Sequence, residues 1–417
     1  MTRSRHRIPT ALAVAAVALA ACSGSEDITV DETVVDTTTT TQPTQVVSDG
    51  RLVLGALLPL TDTLLGEPMA DAVETAVDRI NDAGGVLGSR VRLIVADEGS
   101  STASATAGIQ TLLDRNVDAV IGPASSLIAL STLDEIVSEG KVVCSPTASA
   151  LSLDDFPDDD LFFRTIPSDS LQARAIAVTA DQTGAQRVTI VYVDDSYGRP
   201  FADAVEASLA NETISGLIPF SAADDDLSDE AAELAGSDTQ VLILLADGDD
   251  GTRFLESLDD EDSSGLATIV VNDAFRNPTT PQRIQGLDDE LRGKIVGLAP
   301  QADSGDADDP YDPPGLFATN AYDCTNLIAL AAVRADTDAP REIARQIAQV
   351  SVSGSVCGAF DDCLSTIESG LEIDYNGPSG ITDLLARTGD PSRAFFDRFT
   401  FDDTGSDVLQ RTIVVGN

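Results

Sequence analysis

Apolar positions recur along this chain in two alternating rhythms. Short unbroken apolar runs bounded by Gly, Pro or polar clusters read as buried strands, and longer segments with a 3.6-residue apolar period read as helices. Arg51–Leu58 is such a strand, followed by a loop to Glu67. From Pro68 to Ala83 the spacing puts Ala72, Val73, Ala76, Val77 and Ile80 on one helical face, with Pro68 at its start and Gly84-Gly85 as its stop. The pattern then predicts a strand at Arg90–Ala96, a helix at Thr102–Arg115, a strand at Ala119–Ile121, a helix at Ser126–Glu139 and a strand at Lys141–Cys144. It resumes with a helix at Leu171–Gln182, a strand at Arg187–Val193 and a helix at Pro200–Ala210. Strands follow at Gln240–Leu245, Thr268–Val271 and Lys294–Leu298, with a helix at Thr252–Leu258 between the first two. Gly315–Arg334 and Arg341–Val350 read as helices, Ala394–Phe401 and Val408–Val415 as two closing strands. Strands alternating with helices imply right-handed crossovers and parallel sheets. A folded body of about 370 residues exceeds one ordinary core, so the fold class is α/β in two lobes of similar design.

The first residues break this rhythm. Arg3, Arg5 and Arg7 precede an apolar run from Ile8 to Ala21. A basic start, a short apolar core and small residues before a cleavage point describe a secretory signal peptide. Leu19-Ala20-Ala21-Cys22 resembles a bacterial lipoprotein lipobox, which implies removal of residues 1–21 and acylation of Cys22. The competing reading is an ordinary signal peptide with an incidental cysteine. The apolar run is too short to span a bilayer. Residues 22–49, with the threonine run Thr37–Thr41 and several acidic side chains, carry no periodic apolar face and read as a disordered stalk.

Composition narrows the chemistry. The formal net charge is −45, which repels nucleic-acid phosphates and anionic lipid headgroups. The single histidine, His6, lies in the removed segment, and the chain has no tryptophan. Ser-His-Asp and Cys-His nucleophilic machinery and histidine-ligated metal sites are thereby excluded. The aspartates of Asp303–Asp312 lack the spacing and glycine of an EF-hand loop and read as a solvated loop. No enzyme, no cofactor and no metal is expected. Four cysteines remain beyond Cys22, an even number in an exported chain, which implies disulfides. Cys357 and Cys363 flank five residues and pair with each other; Cys144 with Cys324 follows by elimination.

In open α/β sheets ligands bind beyond the carboxyl ends of the strands. Two such ends here carry small polar residues: Gly122-Pro123-Ala124-Ser125-Ser126 and Ser145-Pro146-Thr147-Ala148-Ser149. Their N–H groups and hydroxyls suit a carboxylate, and equally suit plain helix capping. Asp194-Asp195-Ser196-Tyr197-Gly198 and Asn272-Asp273-Ala274-Phe275 end two later strands, where a carboxylate facing a cleft would accept from an ammonium.

Together, and in this order, these segments resemble the leucine/isoleucine/valine-binding type of periplasmic substrate-binding protein. The resemblance runs through Leu54-Gly55-Ala56-Leu57-Leu58-Pro59-Leu60-Thr61, Gly66-Glu67-Pro68-Met69, Ile80-Asn81-Asp82-Ala83-Gly84-Gly85-Val86-Leu87-Gly88 and Ile121-Gly122-Pro123. It continues through Ser145–Ser149, Phe163-Arg164-Thr165-Ile166-Pro167-Ser168-Asp169, Ser196-Tyr197-Gly198 and Ala321-Tyr322-Asp323. It implies the type I fold: two Rossmann-like lobes with parallel sheets, joined by three crossovers near Ile166, near Leu298 and around Gly377–Thr388. Lobe 1 would be residues 50–167 plus 299–376, and lobe 2 residues 168–298 plus 377–417. The lobes would close by hinge motion on a small solute and pass it to an ABC permease with its ATPase subunit.

By position, the resemblance assigns Ser126, Thr147, Ala148 and Ser149 to an α-carboxylate, and Tyr197 and Asp273 to the ligand from lobe 2, with Asp273 on the α-ammonium. Asp247 stands where the branched-chain binders tend to place an aromatic, and Asp273 is one carbon shorter than their glutamate. A branched aliphatic ligand is thus left open, and a more polar or cationic amino acid, an amide or a urea-like solute is admitted. The expected protein is a monomeric lipoprotein on the outer face of the cytoplasmic membrane, binding an amino acid or related solute for an ABC importer, with a sensory receptor module of the same fold as the alternative. Replacing Cys22 by Ser is expected to move the protein from the membrane to the soluble fraction on cell fractionation; retention at the membrane would contradict acylation at this residue.

Overall fold

The computed structural model describes residues 48–210, 213–277, 279–301, 313–380 and 383–416. The signal-peptide segment, Cys22, the stalk before Ser48 and the Asp303–Asp312 stretch lie outside the described residues. The chain first lays down β1 (Val53–Leu58), α1 (Gly66–Asp82), β2 (Arg92–Asp97), α2 (Thr102–Leu113), β3 (Ala119–Ile121), α3 (Ser126–Val137), β4 (Val142–Ser145) and β5 (Phe162–Arg164). These strands form a five-stranded parallel sheet in the order β2-β1-β3-β4-β5. β1 is buried along its whole length because helices cover both faces of the sheet, as a parallel sheet requires.

After β5 the chain crosses over and builds α4 (Asp169–Asp181), β6 (Arg187–Val193), α5 (Gly198–Ser208), β7 (Thr213–Phe220), α6 (Ser228–Ala235), β8 (Val241–Leu245), α7 (Gly248–Asp259), β9 (Thr268–Val271), α8 (Thr280–Gly286), α9 (Asp289–Arg292) and β10 (Ile295–Pro300). It then returns to the first half through α10 (Ala318–Ala335), α11 (Pro340–Ile347), β11 (Ser355–Cys357), α12 (Phe360–Glu368) and β12 (Ile373–Tyr375). Ala321, Leu327, Ile328, Ile343 and Tyr375 pack there in one core with β1, β3 and β4, and Leu384 still belongs to that core. A third passage leads to β13 (Arg393–Phe401) and β14 (Asp407–Gly416). The second sheet has seven strands in the order β14-β13-β10-β9-β8-β6-β7. Two apolar clusters, one on each face, cover it.

The periodic segments fold as the apolar pattern predicts, with ends shifted by a few residues. Three differences have physical causes. β13 and β14 pair antiparallel with each other, and β13 pairs antiparallel with β10, so the second sheet is mixed rather than wholly parallel. β7 contains Gly216 and Pro219, which weaken a strand signal, and is tolerated because it closes the sheet at an edge. β5, with only three residues, is too short for any period to show.

Two disulfides form among the described residues. Cys144 of β4 is bonded to Cys324 of α10 across 180 residues of sequence, and Cys357 to Cys363 across 6. The first ties the return segment to the centre of the five-stranded sheet, and closing so long a loop restricts the unfolded chain most. Removing Cys144 and Cys324 together is expected to lower stability by about 3–5 kcal/mol. Removing Cys357 and Cys363 should cost less; urea unfolding midpoints of the two double variants check the order.

Candidate functional site

Two loops at the carboxyl ends of β3 and β4 lie side by side, laced together by their own polar groups. Ser145 Oγ donates to the Pro123 carbonyl (2.6 Å) and accepts from the Ala148 N–H (2.9 Å). Thr147 Oγ1 donates to the Ala124 carbonyl (2.7 Å), and the Ala150 N–H donates to Ser126 Oγ (3.2 Å). Beneath them the buried Glu98 carboxylate accepts from the N–H groups of Ala124 (2.7 Å) and Ser125 (3.1 Å), while burial pushes its pKa up to about 7. Gly122 is needed where the first loop turns: its φ is +105° and a Cβ would stand 2.0 Å from the Leu57 carbonyl oxygen. Ser126, Thr147, Ala148 and Ser149 are therefore brought together, although the Thr147 hydroxyl and the Ala148 N–H already have partners within the loops.

The opposite wall comes from α4, the start of α5 and the turn after β9. The Asp169 N–H donates to the Ser149 carbonyl (2.9 Å), which joins α4 to the β4 loop. Tyr197 is half-buried and packs against the core of the five-stranded half and against one face of the seven-stranded sheet. Its hydroxyl and that of Ser149 lie against the Asp169 carboxylate. Gln172 Nε2 donates to Asp273 Oδ1 (2.9 Å) and to the Leu298 carbonyl (2.9 Å), fixing the Asp273 carboxylate at the same place.

The electrostatics of this cluster are unfavourable in the free protein. Burial first, and then the neighbouring Asp273 charge, push Asp169 from 3.8 up to about 7, against the Ser149 and Tyr197 hydroxyls and the Arg164 charge, which draw it down. Burial raises Asp273, with Gln172 pulling it back. Burial and the two carboxylates raise the Tyr197 phenol well above its ordinary value. Asp169 Oδ2 is buried with no hydrogen-bond partner among the described residues. A buried and a half-buried carboxylate beside a phenol have the chemistry to accept from a cationic group, whose charge would offset their repulsion.

Asp169 and Gln172 carry no assignment in the sequence reading. Their signal is two polar positions at 1% and 2% exposure on the otherwise apolar inner face of α4. The structure brings Ser149, Tyr197 and Asp273 together with them. Asp247 is different: it is exposed and its Oδ1 accepts from the Asp250 N–H (2.8 Å), capping α7. No group of three or more His, Cys, Asp or Glu among the described residues is placed to hold a metal ion, and no described helix is long and apolar enough to cross a membrane.

Residues 53–366 match the family described as periplasmic binding protein. The chain is 27% identical over 351 residues to a chemotactic signal transduction system substrate-binding protein, BasB, of Halobacterium salinarum, covering 80% of this chain and 83% of that one. It is 23% identical over 381 residues to a Leu/Ile/Val-binding protein homolog of Brucella melitensis, covering 84% and 92%. In fold it is similar to the branched-chain amino acid transporter substrate-binding protein LivJ of Streptococcus pneumoniae, solved with isoleucine, with a TM-score of 0.65 at 21% identity over 88% of this chain and 100% of that one.

Because folding raises the Asp169 pKa from 3.8 to about 7, the folded chain holds more protons than the unfolded chain between these values. Stability therefore falls as pH rises through that window. Glu98 and Asp118, also pushed up to about 7, act with the same sign. Asp169→Asn is expected to remove its share. The free variant should melt several degrees above the unsubstituted chain near neutral pH, with a shallower decline of melting temperature between pH 4.5 and 8. Melts across that range check both.

Proposed function

The chain belongs to the periplasmic binding protein family, with the type I fold, and on that premise we propose that it is the solute-binding lipoprotein of an ABC importer, taking an amino acid or a related small polar solute such as an amide. It is a binding protein rather than an enzyme. The ligand sits between the loops after β3 and β4 and the wall made by Asp169, Tyr197 and Asp273. Its carboxylate faces Ser126, Thr147, Ala148 and Ser149, and its ammonium faces the two aspartates and the phenol. Residues 50–167 with 299–376, and 168–298 with 377–417, act as the two lobes that close on it, and Cys22 holds the monomer at the membrane.

The observation that carries this reading is the buried Asp169 carboxylate beside the half-buried Asp273, with Asp169 Oδ2 lacking a hydrogen-bond partner among the described residues. An ammonium brings charge-assisted hydrogen bonds to both and removes their mutual repulsion, whereas a neutral aliphatic group brings neither. A second reading, a sensory receptor module without transport, is favoured by the likeness to the chemotaxis protein of Halobacterium salinarum.

Thermal melts of the purified chain against L-amino acids, their amides, urea and small organic acids test the ligand class, since a ligand of the folded state raises the melting temperature by mass action. Stabilisation by amino acids is expected. Asp273→Ala should then weaken binding by several kcal/mol, because it leaves the ligand ammonium desolvated beside a missing partner. Unchanged affinity would remove Asp273 from the site, and a response to organic acids alone would overturn the ammonium assignment.

A further inference from the structure

Arg164 ends β5 and is fully buried, at 0% exposure. Its planar fork reaches three separate stretches of chain. Nε donates to Asp390 Oδ1 (2.6 Å), and Nη1 donates to the carbonyls of Ala148 and Ala150 (both 3.2 Å), which flank Ser149. Nη2 pairs with Asp154. Asp154 in turn accepts from Ser168 Oγ (2.8 and 2.9 Å), and Ser168 Oγ accepts from the Ser170 N–H (3.0 Å), capping α4 one residue before Asp169. On the other side Gly389, beside Asp390, accepts from the Arg164 N–H (3.1 Å). Gly389 has φ +67°, and a Cβ there would stand 2.1 Å from the Phe162 carbonyl oxygen, so this segment lies flush on β5.

We propose that Arg164 is a positioning residue for the binding site: its guanidinium sets the 148–150 loop, the start of α4 and the passage into β13 in one register, so that Ser149 meets Asp169 and Tyr197. This inference rests on the binding reading given above. The fork geometry is what the role requires. Four acceptors lying in different directions in a dry site match a planar guanidinium with five donors, and a lysine ammonium on a flexible stem cannot meet them together. Arg164 touches no part of the proposed ligand position; it acts through the loop and through Asp154 and Ser168. The same cation faces Asp169, as do Asp273 from the turn after β9 and Tyr197 from the start of α5, with the Ser149 hydroxyl alongside.

The test compares Arg164→Lys, which keeps the charge and loses the fork, with Arg164→Gln, which loses both. Phe254→Leu serves as a destabilised control in the far core of the seven-stranded half. In the purified free chain, amide exchange is followed at residues 147–150 and 169–172; the Asp169 amide reports directly on its bond to the Ser149 carbonyl. Both Arg164 variants are expected to speed exchange there by about tenfold relative to the amides of β8 and β9. Both should also weaken binding of whichever L-amino acid most stabilises the unsubstituted chain by about tenfold. In Arg164→Gln the pH at which that binding is half lost should move up, because Asp169 loses a cation that favours its ionised form, and Arg164→Lys should restore it. The control should melt earlier with affinity and pH profile unchanged. If Arg164→Lys does not fold, Asp390→Asn takes its place and should speed exchange at the same residues. Exchange at 147–150 and 169–172 that changes no more than at β8 and β9 overturns the proposal. If no amino acid stabilises the unsubstituted chain, the binding reading fails, and the exchange comparison alone decides the positioning role.

Discussion

One guanidinium is withdrawn from water where the two halves of this protein are joined, and the arrangement around it depends on that charge being met from every side. Arg164 sits between Asp154 and Asp390, with two loop carbonyls completing its shell. A lone buried cation would cost several kcal/mol, and removing one partner of a buried pair typically costs about 3–5 kcal/mol. The loop after β4, the first passage between the halves and the last one are therefore held to a single geometry. Burial raises the Asp390 carboxyl, and the Arg164 charge and hydrogen bond draw it part of the way back.

The candidate site is the opposite case. At Arg164 two carboxylates share a cation; at Asp169 and Asp273 two carboxylates and a phenol are brought together with no cation between them. The five-stranded half contributes Ser149, and the seven-stranded half contributes α4, Tyr197 and the turn that carries Asp273. Gln172 steadies one carboxylate, while the other keeps an unfilled oxygen. Such a cluster lowers the stability of the free protein and is retained where a ligand relieves it, the usual exchange of stability for function at a binding site. The surplus of acidic side chains over the rest of the surface serves solubility and does not bear on this pair, whose repulsion is felt because Asp169 is withdrawn from water.

Other buried polar groups reinforce the frame. Asp323 of α10 accepts from the Tyr375 hydroxyl (2.7 Å) and from the Ser379 N–H (2.9 Å), anchoring the start of the third passage to the return helix. The disulfide between Cys144 and Cys324 fixes that helix to β4, the strand that leads into the site loop. The loop thus has covalent support at its root and the Arg164 guanidinium along its length, which is what a site needs if its hydroxyls are to stand at fixed positions against the opposite wall.

The sequence by itself determined the strands and helices with a clear apolar period, because that period is imposed by burying one face and is written in adjacent residues. It also determined the pairing of the cysteines and, through ordered motifs, the family, and it placed Ser126, Thr147, Ala148, Ser149, Tyr197 and Asp273 at the strand ends from which the candidate site is built. Only the tertiary structure decided the rest. Asp169 and Gln172 look like any polar pair at a helix start until α4 is packed against the turn after β9, 101 residues away from Gln172 along the chain. Asp247, marked because it stands where the branched-chain binders tend to place an aromatic, caps its own helix, since an aspartate just before a helix satisfies the nearest free N–H. The antiparallel pairing of β13 with β10 and the role of Arg164 were likewise illegible. Both depend on partners distant in sequence, Asp390 being 226 residues from Arg164, and desolvation, which gives each of these charges its effect, exists only once those partners meet.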